Sequence, residues 1–506
     1  MGIPIELDHN SRQSLQGQIF DQLRHLILGG KLKPGTLIPA SRMLADQLGI
    51  SRNTVLLVYD RLIAEGYLQA RKAIGTYVNF ELPETCLAAT RKIPVPLPAP
   101  RETKRPMIPF NAQVHVGIGT QDLEFDFCPD RIGLDLFPDK IWRRFINRAF
   151  TSADTYFTEC CDPGGLHQLR EVIAAHLGVA RGINVSPDQV IITAGSQEGL
   201  NLAARLLVKE GTLVATENPC YRGASSLFKS FYAKLIKVPV DESGLDVDQL
   251  PKNGVALLYV TPSHQFPLGF TLTIERRLKL LDWARRCGAF IIEDDYDSDF
   301  RYRGSPLTAL MGLDDYGCVM YLGTFSKSMG AGLRLGYLVV PKTLISPARA
   351  AKALLNNGHG WLDQAAMAEF IRSGAYGNHL RRMRNIYCKR RDCLVEALRE
   401  HFDAVQLSGL ESGLHLTWYL PDGYPDASEV REIALRHGIG IYTVGSGTGY
   451  DYGNCGYSNR TLVLGFSSLN EPRIRTGVRR LAEALSCFSV KPARSSNRAS
   501  ELASFL

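Results

Sequence analysis

The chain has 506 residues, 45% of them hydrophobic and 22% charged, with a formal net charge of +7 at pH 7. That length exceeds one ordinary core and favours two or three domains, while so mild a charge does not by itself announce a polyanion partner. No apolar run approaches the ~18 residues that span a bilayer, the opening MGIPIELDHNSRQ lacks the basic and apolar regions of a signal peptide, and eleven cysteines without C-x-x-C spacing argue against a disulfide framework or structural zinc, so a cytoplasmic, metal-free protein is expected.

Taken in chain order, Leu15, Ile19, Leu23, Leu26 and Ile27 recur at helical steps until GGKLKPG breaks the pattern. PASRMLADQLG predicts a second helix capped by Ser41 and ended by Gly49, with Leu44 and Leu48 on one face. SRNTVLLVYDRLIAEG predicts a third, capped by Ser51, with Val55, Tyr59, Leu62 and Ile63 facing inward, and YLQARKAIGTYV reads as a hairpin with Gly75 near its tip. Two short helices joined by Gly49 and Ile50 read as a helix-turn-helix. In that geometry the first turn of the second helix meets base edges. Ser51, Arg52, Asn53 and Thr54 are therefore the expected contacts to double-stranded DNA, with Arg42 on a phosphate and the hairpin tip, Lys72 to Gly75, toward the minor groove. A small helical docking domain with a solvated basic face fits the same spacing.

This module is placed at residues 11–80. A proline-rich linker is expected over 81–110, where LPETCLAATRKIPVPLPAPRETKRPMIPF has no periodic apolar face. Alternating strands and helices imply an α/β domain over 111–488, followed by a polar tail, 489–506.

Within the large domain the chemistry-bearing residues fall where strands finish, the place where open α/β sheets gather ligands. In VIITAGSQEGLNLAARLL a strand, a glycine turn and a helix present the amides of Ser196 and Gln197 to an anion. ENPCYRG offers Tyr221 as an aromatic platform, and VTPSHQFPLG ends a strand with His264 and Gln265. AFIIEDDYDSDF ends in acids, of which Asp294 suits a protonated pyridine nitrogen and Tyr296 a phenolic oxygen. GTFSKSMGAGLRLGY supplies the Lys327 amine, with Thr324, Ser326 and Arg334 as phosphate ligands. Together these meet the needs of pyridoxal 5'-phosphate. Singly they do not: a lysine in a glycine-rich turn is commonly just solvated, an Asp-Asp pair can be a metal ligand or a helix cap, and Tyr221 can be core. Their occurrence in one order is what favours the cofactor.

The stretch from Leu23 to Val78 resembles the winged helix-turn-helix of the GntR family, with Pro39-Ala40-Ser41-Arg42 where that family has proline-serine before the second helix. Residues from about 120 to 488 resemble fold-type I, class I/II aminotransferases, including a smaller C-terminal α+β subdomain. Joined, and with PSHQFPLG, EDDYDSDFRY and HLRRMRNIY, they resemble the MocR subfamily of bacterial transcriptional regulators. The resemblance implies Lys327 as the internal-aldimine lysine, Asp294 at the pyridine nitrogen, Tyr296 at the ring hydroxyl and Tyr221 over the ring. It places Ser196, Gln197, Thr324 and Arg334 around the phosphate and Arg222 on an effector anion. It further implies a homodimer, in a head-to-tail, domain-swapped arrangement, that senses an amine, an amino-acid-like ligand or the cofactor itself; the alternative is an active aminotransferase with an accessory DNA-binding module. Two departures bear on turnover. Val463 in TLVLGF stands where relatives carry a carboxylate-binding arginine, with Arg460 three residues earlier, and Asp130 stands where relatives place a glycine. Both imply that sustained transamination is not the function.

Overall fold

Helix Leu15–Leu28 begins where Ser14 Oγ accepts the Gly17 amide at 3.2 Å, and buries Ile19, Phe20, Leu23 and Ile27 on one face. The structure is a computed structural model that describes residues 3–8, 11, 13–71, 75–80, 82, 123–129, 131–151, 158, 162–304, 307–453 and 455–488. Lys72, Asp130, nearly all of the expected linker and the whole tail lie outside the described residues. The chain divides into two units, Met1–Met107 and Ile108–Leu506.

In the first unit the second helix runs Ser41–Leu48, and the expected cap is displaced by one residue. Ala40 holds the cap position without a side-chain bond and Ser41 is the first helical residue, because Pro39-Ala40 extends the chain up to it. Gly49 ends this helix in the left-handed region, at φ 66°, where a side chain is strained. Helix Arg52–Ala64 is capped as expected: Ser51 Oγ accepts the Asn53 amide at 3.1 Å. Its inner face, Val55, Val58, Tyr59 and Leu62, is buried, and the Tyr59 hydroxyl donates to the Pro39 carbonyl at 2.8 Å, tying the third helix to the turn before the second. Strands Leu68–Arg71 and Gly75–Val78 form the antiparallel wing. Ile3 and Ile5 join this core, and glutamines hold their segment by its peptide groups: Gln22 pairs with Glu6, Gln18 with Asp8, and Gln47 donates to the Ile3 carbonyl.

In the second unit an eight-stranded sheet has the order Val190–Thr193, Gly336–Val339, Val319–Thr324, Phe290–Asp295, Val255–Val260, Leu213–Asn218, Lys234–Asp241, Gly244–Leu245. All neighbours are parallel except at Gly336–Val339 and at the edge strand Gly244–Leu245. The central strands Val255–Val260, Phe290–Asp295 and Val319–Thr324 are buried along nearly all their length, since helices cover both faces of such a sheet. A smaller four-stranded antiparallel sheet, Gln406–Ser408, His415–Tyr419, Thr461–Gly465 and Tyr442–Thr443, packs with helices Ala375–His401 and Glu471–Ala484 as the expected α+β subdomain.

Candidate functional site

Six strands of the large sheet run in one direction, and five of them finish at Thr193, Asn218, Val260, Asp295 and Thr324. The residues at and just beyond these ends are the ones singled out from the sequence. Gly195 adopts φ 89° and ψ 178° and leads into helix Ser196–Leu207, whose first amides lack intrahelical acceptors and whose dipole favours negative charge. Arg334, itself left-handed at φ 52°, donates to the Ala194 carbonyl, and its guanidinium lies 3.3 Å from where a Cβ on Gly195 would stand. A side chain at 195 would fill this cradle. Thr324 Oγ1 donates to Ser326 Oγ at 2.9 Å and accepts the Ser326 amide at 3.1 Å, so two hydroxyls are clustered just ahead of Lys327. Gln197 offers its amide rather than its side chain, which donates to the Gly223 carbonyl at 3.2 Å and accepts from the Tyr221 hydroxyl at 3.3 Å.

Next to the cradle lies an acid that no motif in the sequence marks. Glu198 accepts the Ala194 amide at 2.5 Å and meets Lys352 Nζ at 2.7 Å and His359 Nε2 at 2.6 Å. Burial pushes its carboxyl up, but His359, the Ala194 amide and Lys352 outweigh it and bring the carboxyl to about 2. Its position in the first turn of a glycine-led helix was the available signal.

The acidic run after strand Phe290–Asp295 divides its labour. Asp295 forms an ion pair with Arg181, Nε lying 2.8 Å away, and accepts the Tyr321 hydroxyl at 2.5 Å; Asp297 pairs with His264 Nδ1 at 2.8 Å. Asp294 accepts the Tyr259 hydroxyl on Oδ2 at 2.7 Å, while its Oδ1 is buried and has no hydrogen-bond partner among the described residues. Burial pushes this acid up to about 7, Tyr259 and Lys327 pulling down and Asp295 and Asp297 pushing further up. Asp294 and Lys327 therefore share one electrostatic site.

His264 and Gln265 are buried, and His264 Nε2 has no hydrogen-bond partner among the described residues. The Tyr296 hydroxyl donates to the His264 carbonyl at 3.0 Å and lies 3.1 Å from Nδ1. The Gln265 amide donates to the Pro219 and Phe266 carbonyls and accepts the Leu268 amide. His264, Asp297 and His415 hold ligand-type atoms within 4.8 Å of one another. Nδ1 of His264 is bonded to Asp297 and Nε2 of His415 lies 3.1 Å from the Pro267 carbonyl, a hydrogen-bonded arrangement.

Asp294 sets a pH dependence of stability. The unfolded chain releases this proton near its ordinary value of 3.8, whereas the folded chain keeps it to about 7. Between those values the folded state binds more protons, so stability falls as pH rises, by up to ~1.4 kcal/mol per pH unit for one group. For cofactor-stripped protein, melting temperatures measured from pH 4 to 8 should decline in wild type and decline less in Asp294→Asn.

Arg222 donates Nη2 to the Gly445 and Gly449 carbonyls at 2.6 and 2.9 Å and lies 5.4 Å from the Tyr450 ring, which locks the loop after Thr443 against Tyr221. Its Nε is buried without a hydrogen-bond partner among the described residues, so donor capacity remains. Val463 is 1% exposed and clusters with Val240, Leu268 and Val444. Arg460 is not a shifted copy of a carboxylate clamp, because its guanidinium donates to the Leu420, Pro421 and Tyr424 carbonyls.

In the first unit Arg42, Ser51, Arg52, Asn53 and Gly75 are exposed and Thr54 is half-buried. Arg52 Nε reaches Ser41 Oγ at 3.4 Å, linking the N-termini of two helices.

Known proteins share both units. Residues 15–78 match the gntR family of bacterial regulatory proteins, and residues 135–436 match the class I and II aminotransferases. The probable rhizopine catabolism regulatory protein MocR of Rhizobium meliloti is 36% identical over 417 residues, 81% of this chain and 82% of that protein. The HTH-type pyridoxine biosynthesis transcriptional regulator PdxR of Corynebacterium glutamicum is 34% identical across 96% of this chain and 99% of its own length. Among solved structures, a kynurenine aminotransferase of Pyrococcus horikoshii in complex with PMP superposes with a TM-score of 0.65 at 29% identity, covering 72% of this chain and 91% of that one.

Proposed function

The chain belongs to the MocR subfamily, a gntR-type DNA-binding module joined to a class I and II aminotransferase domain, and on that premise we propose that it reads an amine-bearing small molecule at Lys327 and changes its hold on operator DNA. It is a transcriptional regulator whose large domain takes pyridoxal 5'-phosphate. The observation that carries the assignment of residues is the buried, unpartnered Oδ1 of Asp294, electrostatically coupled to Lys327. A buried carboxylate oxygen demands a donor, and a protonated pyridine nitrogen is one. The Gly195 cradle under Arg334 fits a phosphate by the same reasoning.

When bound, pyridoxal 5'-phosphate supplies an aldehyde that condenses with primary amines and a ring that withdraws electrons. Lys327 would hold the aldehyde carbon. Asp294 would keep the ring nitrogen protonated, and the cation there would draw the Asp294 proton off below its value of about 7 in the bare chain. Tyr296, steadied by His264 and Asp297, would meet the ring hydroxyl, and Tyr221 would cover the ring. The Ser196 and Gln197 amides with Thr324, Ser326 and Arg334 would hold the phosphate.

The ligand is an amine, an amino-acid-like molecule or the cofactor itself. The apolar surroundings of Val463 offer nothing to a carboxylate on that side, whereas Arg222 keeps one anion donor. Relatives named for rhizopine catabolism and for pyridoxine biosynthesis support different ligands within one family. We place the protein in the cytoplasm as a homodimer that reads paired half-sites; no helix among the described residues is long and apolar enough to cross a membrane.

Titrating the cofactor-loaded chain with amines, amino acids and pyridoxal 5'-phosphate tests this reading, with cofactor absorbance and operator affinity followed together. One ligand should shift both, changing operator affinity roughly 5- to 150-fold, the usual range of coupling between sites. Sustained turnover of an amino donor with a keto acid and no change in operator affinity would sink it in favour of an enzyme.

A further inference from the structure

Arg181, Ser298 and Asp299 line two pockets at once. One also holds Lys327, Tyr296 and Thr324; the other is a separate cavity of about 260 Å³. The second is cationic. Arg181 is already matched by Asp295 at 2.8 Å, but Arg301 and Arg384 make no ion pair with a carboxylate among the described residues. Arg384 donates Nε and Nη2 to the Asp299 carbonyl oxygen, at 3.1 and 2.8 Å. Burial pushes the Asp299 carboxyl up, but His176 and the charges of Arg181 and Arg384 outweigh it and hold that carboxyl below its ordinary value, so Arg301 is the cation of the lining left without a carboxylate among the described residues. The one carboxylate in the lining, Asp299, is shared with His176 at 3.8 Å.

Three buried polar atoms on lining residues have no hydrogen-bond partner among the described residues; Arg181 Nε is ion-paired with Asp295, and two are left over. Arg301 Nε and Ser412 Oγ are both buried without a hydrogen-bond partner among the described residues, and Ser412 is 3% exposed. The backbones of these residues meet in an antiparallel bridge, which fixes the two groups beside each other. A partly buried guanidinium without counter-charge and a buried hydroxyl without a partner are both costly, and one oxyanion relieves both.

We infer that this cavity is a second small-molecule site, taking a phosphate or carboxylate group on Arg301 and Ser412. The guanidinium fork suits either oxyanion, and the hydroxyl donates to an oxygen the fork does not reach. Because Ser298 and Asp299 directly follow Tyr296 and Asp297, an occupant touches the segment that also borders Lys327. The site stands on its own geometry and does not require the cofactor assignment.

The test uses the full-length, cofactor-loaded chain, in which the cofactor's own phosphate occupies the Gly195 cradle. Calorimetric titrations with inorganic phosphate and with acetate are compared for wild type, Arg301→Gln and Ser412→Ala. Wild type should bind one equivalent of phosphate or acetate per chain, and whichever saturates identifies the group. Arg301→Gln should weaken that binding by roughly tenfold or more and Ser412→Ala by several-fold, with cofactor absorbance unchanged in both. Should Arg301→Gln fail to fold, the Ser412→Ala arm decides alone. Absence of saturable binding of either anion to wild type, or equal binding in the variants that fold, overturns the site.

Discussion

Replacing Lys327 by alanine should abolish the visible absorbance of the cofactor-loaded protein and leave a chain that retains pyridoxal 5'-phosphate only by its polar contacts. Those contacts are the charge-assisted bonds of Arg334, the helix amides at Ser196 and Gln197, and Asp294 at the ring nitrogen, worth about 1.5–3 kcal/mol each when one partner is ionised. Without the covalent anchor, retention through dialysis should drop roughly hundredfold or more, a loss of about 2.7 kcal/mol or greater. The chain without cofactor should remain folded, since Lys327 lies in the short helix Ser326–Met329, with the Asp294 carboxyl pushed further up once the neighbouring cation is gone. Operator affinity should persist while its response to ligand disappears. Lys327→Ala protein that kept the cofactor's absorbance band would remove this lysine from the site; one that kept the ligand response would remove it from the signal.

The parts of this site legible in the sequence are those set by local punctuation. Gly195 before a helix, an acid at a strand end and a lysine among small residues each announce a backbone geometry within a few positions. What stayed hidden depends on partners far along the chain. His264 and Gln265 stand at a strand end like the other candidates, but their bonds to Asp297, 33 residues on, and to the Pro219 carbonyl, 46 residues back, follow from no local pattern. Glu198 is fixed by Lys352, 154 residues away, and no spacing rule reaches that far. Residues 3–8 carry no sequence signal of their place in the first unit, because glutamine side chains pairing with peptide groups leave no periodic trace. The fold was legible for the opposite reason. Buried parallel strands read as continuous apolar runs between turn residues, as in CVMYLGT and AFIIED.

Replacing Arg52 by alanine should weaken operator binding about ten- to hundredfold while leaving cofactor absorbance untouched. The residue sits at the first position of helix Arg52–Ala64, whose inner face, Val55, Val58, Tyr59 and Leu62, is fully committed to the core, so the helix cannot turn to offer other side chains instead. Ser41 Oγ receives only Nε, at 3.4 Å, which leaves the two terminal nitrogens of the fork for a guanine edge or a phosphate. The two targets separate by salt and sequence dependence. If Arg52 bonds to a base edge, Arg52→Ala costs about 1–3 kcal/mol and relaxes preference at one operator position, with the salt slope unchanged. If it bonds to a phosphate, the same substitution weakens all sequences alike and lowers the slope of log K against log salt by about one. Arg42→Ala, one helix earlier and exposed, should follow the phosphate pattern. Measured across operator variants at several salt concentrations, uniform weakening in both variants would make this helix a clamp on the backbone. Weakening confined to one base position in Arg52→Ala, beside uniform weakening in Arg42→Ala, makes Arg52 the residue through which the regulator reads sequence.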